Sequence, residues 1–184
     1  MELKAELIKP FSDTQRENFI VLNNHQKGYE IKETPDALQA WGMTNSEQLE
    51  KFRTLKYDEA NEGAKKFLES GEALYEFSPG KHVEAFDGNM SKMTGYLLAF
   101  ESGIYQPSDT VVWVTKEDDV VNLTKEQIAD ILEGIGKVQA SVWSVQFLNY
   151  VSRIQSAKTV QELKSIEIQY SDDITLLNSS VTED

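Results

Sequence analysis

The sequence predicts an α+β fold: a small β-rich N-terminal head, a connecting helix, then a β-hairpin or meander packed on a long C-terminal helix. Three observations carry this expectation. Residues 1–33 and 73–123 contain short alternating or β-branched runs separated by turn residues. Residues 46–70 are rich in Glu and Lys and carry only a thin apolar stripe. Residues 125–156 place an apolar residue at every third or fourth position and contain no proline.

In the head, Leu3, Ala5 and Leu7 alternate with Glu2, Lys4 and Glu6, the period of a half-buried strand. Phe19–Leu22 is a short apolar run, residues 23–28 form a turn, and Tyr29–Lys32 is a returning strand. Thr34-Pro35-Asp36 carries the signals of a helix start, with Gly42 as its stop. Asn45 or Ser46 then opens the connecting helix, which Gly71 ends. Leu74–Phe77 and Val83–Phe86 flank Ser78-Pro79-Gly80-Lys81 and predict a hairpin. A helix from Asn89 or Ser91 runs to Gly103, and Thr110–Thr115 is the strongest strand. The turn Glu117-Asp118-Asp119 returns it as Val120–Leu123.

Thr124 and Gln127 make a capping box at the start of the long helix. Without a break over 125–156 that helix would measure ~48 Å, so either the molecule is elongated or Gly134 and Gly136 end the helix early. One long helix, bent at the glycines, is the favoured reading. Thr159 and Glu162 make a second capping box over a short helix, and Glu167–Tyr170 reads as a final strand. The expected division is a head at 1–42, a connecting helix at 43–71, an α+β domain at 72–170 and a flexible acidic tail at 171–184.

The composition narrows the function. Hydrophobic residues make up 40 % and charged residues 27 % of 184, enough for a sizeable core. A net charge of −13 repels phosphate backbones and anionic lipid, so neither nucleic acid nor membrane is an expected partner. Cysteine is absent, which removes disulfides, thiol nucleophiles and thiolate metal sites. The opening residues lack the apolar core of a secretory signal, and no run approaches the length of a membrane span.

Candidate sites are few. His25 and His82 fall in predicted turns, far apart in sequence, and are read as exposed rather than as ligands. Asp118-Asp119 is read as turn chemistry rather than a shared-proton pair. No phosphate-loop, nucleophile-elbow or zinc-helix motif occurs, so no catalytic, metal or cofactor residue is expected. Trp41, Trp113 and Trp143 could stack on a sugar, although Trp113 sits in an apolar strand and is expected to be buried. The Ile/Val/Leu stripe of 128–154 reads first as a core face and second as a seam between two copies of the chain.

The string Val112-Trp113-Val114-Thr115-Lys116-Glu117-Asp118-Asp119-Val120-Val121-Asn122-Leu123-Thr124 and the string Ile154-Gln155-Ser156-Ala157-Lys158-Thr159-Val160-Gln161-Glu162-Leu163-Lys164-Ser165-Ile166 are moderately specific. With Ala85-Phe86-Asp87 and Met93–Leu97, they make the segment from about Tyr57 to Ile168 resemble the phage-associated DUF4376 domain. The resemblance implies a virus-particle role: a tail-fibre or baseplate adaptor in the virion, or a tail-fibre assembly chaperone in the host cytoplasm. It implies phage tail or fibre proteins as partners and supplies no catalytic residue. Trp113, Asp118, Asp119, Thr124 and Thr159 then serve as structural devices. Trp41, Trp143, Phe147 and Tyr150 are the candidate partner contacts, and a homo-oligomer through 125–156 is the further expectation. A glycan-binding adhesin is the alternative from another class.

Overall fold

In the computed structural model, residues 1–179 are described. Helix makes up 53 % and strand 19 %, with the strands in small antiparallel sheets, which is the expected α+β class. The chain forms two units: Met1–Lys56 with Ala157–Ser165, and Tyr57–Ser156 with the chain from Ile166 onward.

The first unit is built on a three-stranded antiparallel sheet, with β3 (Ala37–Gly42) between β1 (Glu2–Ile8) and β2 (Glu30–Glu33). The helix expected from Thr34 is therefore a turn followed by a strand. Thr34 donates its N–H to Ala37 O at 2.8 Å, and its Oγ1 accepts from Ala37 N–H at 3.0 Å. Thr-Pro-Asp can cap a helix or close a hairpin, and the free edge of β1 decides for the hairpin. Between β1 and β2, α1 (Asp13–Ile20) starts in a Ser12–Gln15 capping box and passes into a π-helical stretch, Val21–Gln26. The apolar run Phe19–Leu22 is thus helical. The first half of α2 (Asn45–Glu69) and the short α6 (Val160–Lys164) complete this unit. Arg53 donates from Nη2 to Ala157 O at 2.8 Å, and Leu163 is buried.

The second unit is organised around one helical run. α4 (Lys125–Ala140), a π-helical stretch (Ser141–Phe147) and α5 (Leu148–Ser156) follow without interruption. Ile128, Ile131, Ile135, Val138 and Val142 are shut off from solvent, so the stripe is a core face. The hairpins β4 (Leu74–Ser78)–β5 (Lys81–Glu84) and β6 (Val111–Val114)–β7 (Val120–Leu123) and helix α3 (Asp87–Glu101) supply the rest of the core. The second half of α2 belongs here as well: Ala60, Ala64 and Leu68 are buried, so it is a core helix and not a free connector.

The departure from α-geometry lies at Ser141–Phe147 and not at the glycines. It coincides with the place where the segment that follows α6 is held. Residues 167–170 form no strand. They are pinned by side chains instead. Gln146 donates from Nε2 to Ser171 O at 2.8 Å and accepts the Ser171 N–H at 2.9 Å. Tyr150 donates to Gln169 O at 2.6 Å and accepts the Gln169 N–H at 3.0 Å, while Ser141 donates to Asp173 O at 2.7 Å. Residues expected to be a loose tail are held too. Asp172 accepts the Leu74 N–H, and Ile174 packs on the core. Residues 180–184 lie outside the described residues.

Gly134 is needed for close approach. A Cβ there would come within 2.2 Å of the Tyr75 ring, whereas at Gly136 the nearest atom would be 4.0 Å away. The helix gains about 1 kcal/mol from Gly→Ala by propensity alone, and overpacking costs about 1–3 kcal/mol. Urea unfolding should therefore show Gly136→Ala more stable than the parent by about 0.5–1 kcal/mol. Gly134→Ala should be less stable than Gly136→Ala, and less stable than the parent by about 0–2 kcal/mol after the propensity gain is subtracted.

Candidate partner-binding site

In β6 and β7 successive side chains face opposite sides. The inner row, Val111, Trp113 and Leu123, is buried, with Trp113 only 9 % exposed. The outer row carries Val112, Val114 and Val120, which are 62 %, 54 % and 71 % exposed. Val114 sits opposite Val120, and Val112 opposite Asn122, so the outer valines form one patch. β-branched residues suit the strand conformation, but three of them on a solvent face leave apolar surface uncovered. The turn is set by Asp118, whose φ of +63° is tolerated by Asp better than by most residues, and by Thr115, which accepts the Asp119 N–H on its Oγ1.

Among the described residues β6 pairs only with β7, and β5 only with β4. Between them lies a cavity of about 560 Å³ lined by Val83 and Glu84 of β5, by the run Val112–Lys116, and by Asn89, Lys92 and Tyr96 of α3. Consecutive residues of β6 border it, as the edge of a strand does and a face does not. The Trp113 indole Nε1 is buried with no hydrogen-bond partner, and the Lys92 ammonium stands 5.6 Å over the Trp113 ring.

One end of the cleft is clasped. Lys116 donates its N–H to His82 O at 3.0 Å, and its ammonium meets Glu84 at 2.5 Å. Glu117 accepts the His82 N–H at 3.0 Å and lies 2.7 Å from His82 Nδ1. These hydrogen bonds, the His82 backbone N–H first, hold the Glu117 carboxyl down at about 2. His82 is therefore a strand residue engaged with a carboxylate, and not the exposed turn histidine expected. Away from the clasp the two edges are unpaired with each other. An edge with free backbone groups and a flanking apolar row can accept an extended segment of another chain.

The residues singled out in the sequence have separate fates. Thr124 accepts the Gln127 N–H at 3.3 Å, and Gln127 accepts the Thr124 N–H at 2.9 Å. Thr159 accepts the Glu162 N–H at 3.1 Å, but Glu162 reaches the Lys158 N–H, one residue before the expected one. Asp119 lies 3.6 Å from Lys81. Trp143 and Phe147 meet edge to face at 5.4 Å, and Tyr57 adds a third ring at 5.6 Å from Phe147. Tyr150 is spent on Gln169. Trp41, in the first unit, is half-buried, donates to Gln39 Oε1 and lies under Lys32. Trp143, Phe147 and Tyr150 are half-buried, each with a ring or hydrogen-bond partner in its own unit. The outer valines, Lys92 and the His82–Glu117 clasp were not singled out. Their only signal was the two-sided apolar character of the β6 run.

Among the described residues no group of three or more His, Asp or Glu could hold a metal ion, and no helix is long and apolar enough to cross a membrane. In comparisons with known proteins, no family model, no curated protein and no solved structure matches the chain.

The clasp makes stability pH-dependent with a definite sign. A carboxyl held below its ordinary value of 4.5 contributes fully above 4.5 and loses that contribution as the pH falls through about 2. Glu117→Gln should lower the urea midpoint at neutral pH, and the gap from the parent should close between pH 4.5 and about 2. A gap that is constant with pH would show that the carboxylate charge contributes nothing.

Proposed function

We propose that the chain is a non-enzymatic, bacteriophage tail-associated structural protein, a tail-fibre or baseplate adaptor that works by protein–protein contacts. The observation that carries this reading is the outward row Val112, Val114 and Val120 on a hairpin with an unpaired β6 edge. Such a surface suits an extended partner segment whose backbone pairs with β6 and whose side chains cover the valines. The resemblance of residues 57–168 supplies the biological setting. The positions that carry it have structural roles: Trp113 fills the core, Asp118 shapes the turn, and Thr124 and Thr159 cap helices. Of the stripe proposed as a seam between two copies, Ile128, Ile131, Ile135, Val138 and Val142 lie within the core of their own unit, while Leu148 is exposed.

Mass spectrometry of purified particles should find the chain at fixed stoichiometry. Recovery only from lysate, bound to a fibre protein, would make it an assembly chaperone. Absence from both would end the proposal. Binding of the partner so identified should weaken at least about tenfold in Val112→Lys with Val114→Lys, while urea unfolding stays a single cooperative transition because both side chains are largely exposed.

A further inference from the structure

The first unit contains a cavity whose charge runs against that of the chain. It measures about 610 Å³ and is bordered by residues 24–28, by the start of α2, and by α6. Lys27, Lys51, Lys164 and His25 line it, and no Asp or Glu does. The chain as a whole has 31 acidic residues and 18 basic ones. Its other lysines commonly stand beside carboxylates, as in Lys4–Glu2, Lys9–Glu33, Lys65–Glu62 and Lys137–Glu133. Lys27, Lys51 and Lys164 have no ion-pair partner among the described residues.

The cavity also has an apolar side made of Met43, Phe52, Leu55 and Val160. The Lys164 ammonium lies 5.1 Å over the Phe52 ring, so cation and aromatic face border the same space. Like charges gathered without counter-ions repel, and an anion placed among them relieves that repulsion. The backbone helps to assemble the site. The π-helical stretch Val21–Gln26 ends in a turn at Gly28, whose φ is +71°, and together they bring His25 and Lys27 to the rim. π-helical turns are frequent at functional sites. The volume is that of a small-ligand pocket.

We infer that this cavity binds an organic anion: a carboxylate, sulfonate or phosphate group carried on an apolar or aromatic body. The acidic group sits among Lys27, Lys51 and Lys164, and the apolar body lies against Phe52, Met43 and Leu55. The inference is independent of the tail reading, because it uses only residues of the first unit.

The test uses the full chain and 1-anilinonaphthalene-8-sulfonate, whose fluorescence rises on binding. Saturable binding is expected, weakening as salt is raised. Lys51→Glu with Lys164→Glu should cut the affinity at least about tenfold, while the control Lys65→Glu, which lies in the other unit, should leave it unchanged. All three lysines are exposed, so the variants should keep a single cooperative urea transition and the parent's amide dispersion. Amide chemical shifts of the parent protein, read on probe addition, give a second measure that needs no variant; they should move at 24–28, 51–55 and 160–164. Displacement of the probe by decanoate identifies a free small anion as the occupant. Displacement by a short acidic peptide with a central phenylalanine, but not by decanoate, identifies a partner segment. Equal binding by parent and double variant, or shifts confined to other residues, would overturn the inference.

Discussion

Ile128, Ile131, Ile135, Val138 and Val142 form a single file of side chains closed to solvent, and the second unit is assembled on it. Both hairpins and α3 lack an apolar partner of their own. Leu74–Ser78 and Lys81–Glu84 make only a two-stranded ribbon, as do Val111–Val114 and Val120–Leu123. Two-stranded ribbons are marginal in water unless one face is packed against something else. Val83, Trp113 and Leu123 satisfy that need by joining the same cluster as the helix stripe. Each fully buried Ile or Val contributes about 1.5–3 kcal/mol relative to exposure, so the stripe outweighs any single surface ion pair, which is worth about 0–1 kcal/mol.

The same helix uses its polar side for a different purpose. Gln146, Tyr150 and Ser141 receive residues 169–173 through paired donors and acceptors. A primary amide that both donates to and accepts from one residue reproduces the pattern of a strand pair. The segment thereby pairs backbone groups without a sheet. Tyr170 then donates to Ala60 O at 2.8 Å and stacks on Phe67, which ties α2 to the same segment; burial pushes its phenol above the ordinary value. The π-helical stretch at Ser141–Phe147 contains two of the three gripping residues, so the altered turn and the grip belong together.

How legible each part was depended on whether local and tertiary signals agreed. At Thr124–Gln127 the cap, the charge and the apolar period all specify a helix, and the helix forms there. At 110–123 the β-branched run and the acidic turn agree, and the expected hairpin forms there. At Thr34-Pro35-Asp36 the local chemistry is ambiguous between cap and turn, and a long-range partner, β1, settled it. At Glu167–Tyr170 the expected strand does not form, and the segment is held by a glutamine and a tyrosine on a helix, which give no periodic signal. The candidate sites were less legible than the fold. An outward valine looks like a core valine in sequence, and unpaired lysines are recognised only once the surrounding carboxylates can be placed.

That contrast bears on what the two surfaces can be for. A fold needs its inner rows, its caps and its turn residues, and here those needs are met by Trp113, Leu123, Thr124 and Asp118. Nothing in the fold of the second unit needs Val112, Val114 and Val120 to be apolar, since threonine would serve the strand as well on a wet face. Nothing in the first unit needs Lys27, Lys51 and Lys164 to share a cavity, since a carboxylate among them would lower the local repulsion. The two proposed contacts would account for residue choices that conformation does not require and that cost solvation or charge energy in the isolated chain. One surface is apolar and offers backbone groups, the other is cationic over an aromatic floor, so the two call for chemically different occupants.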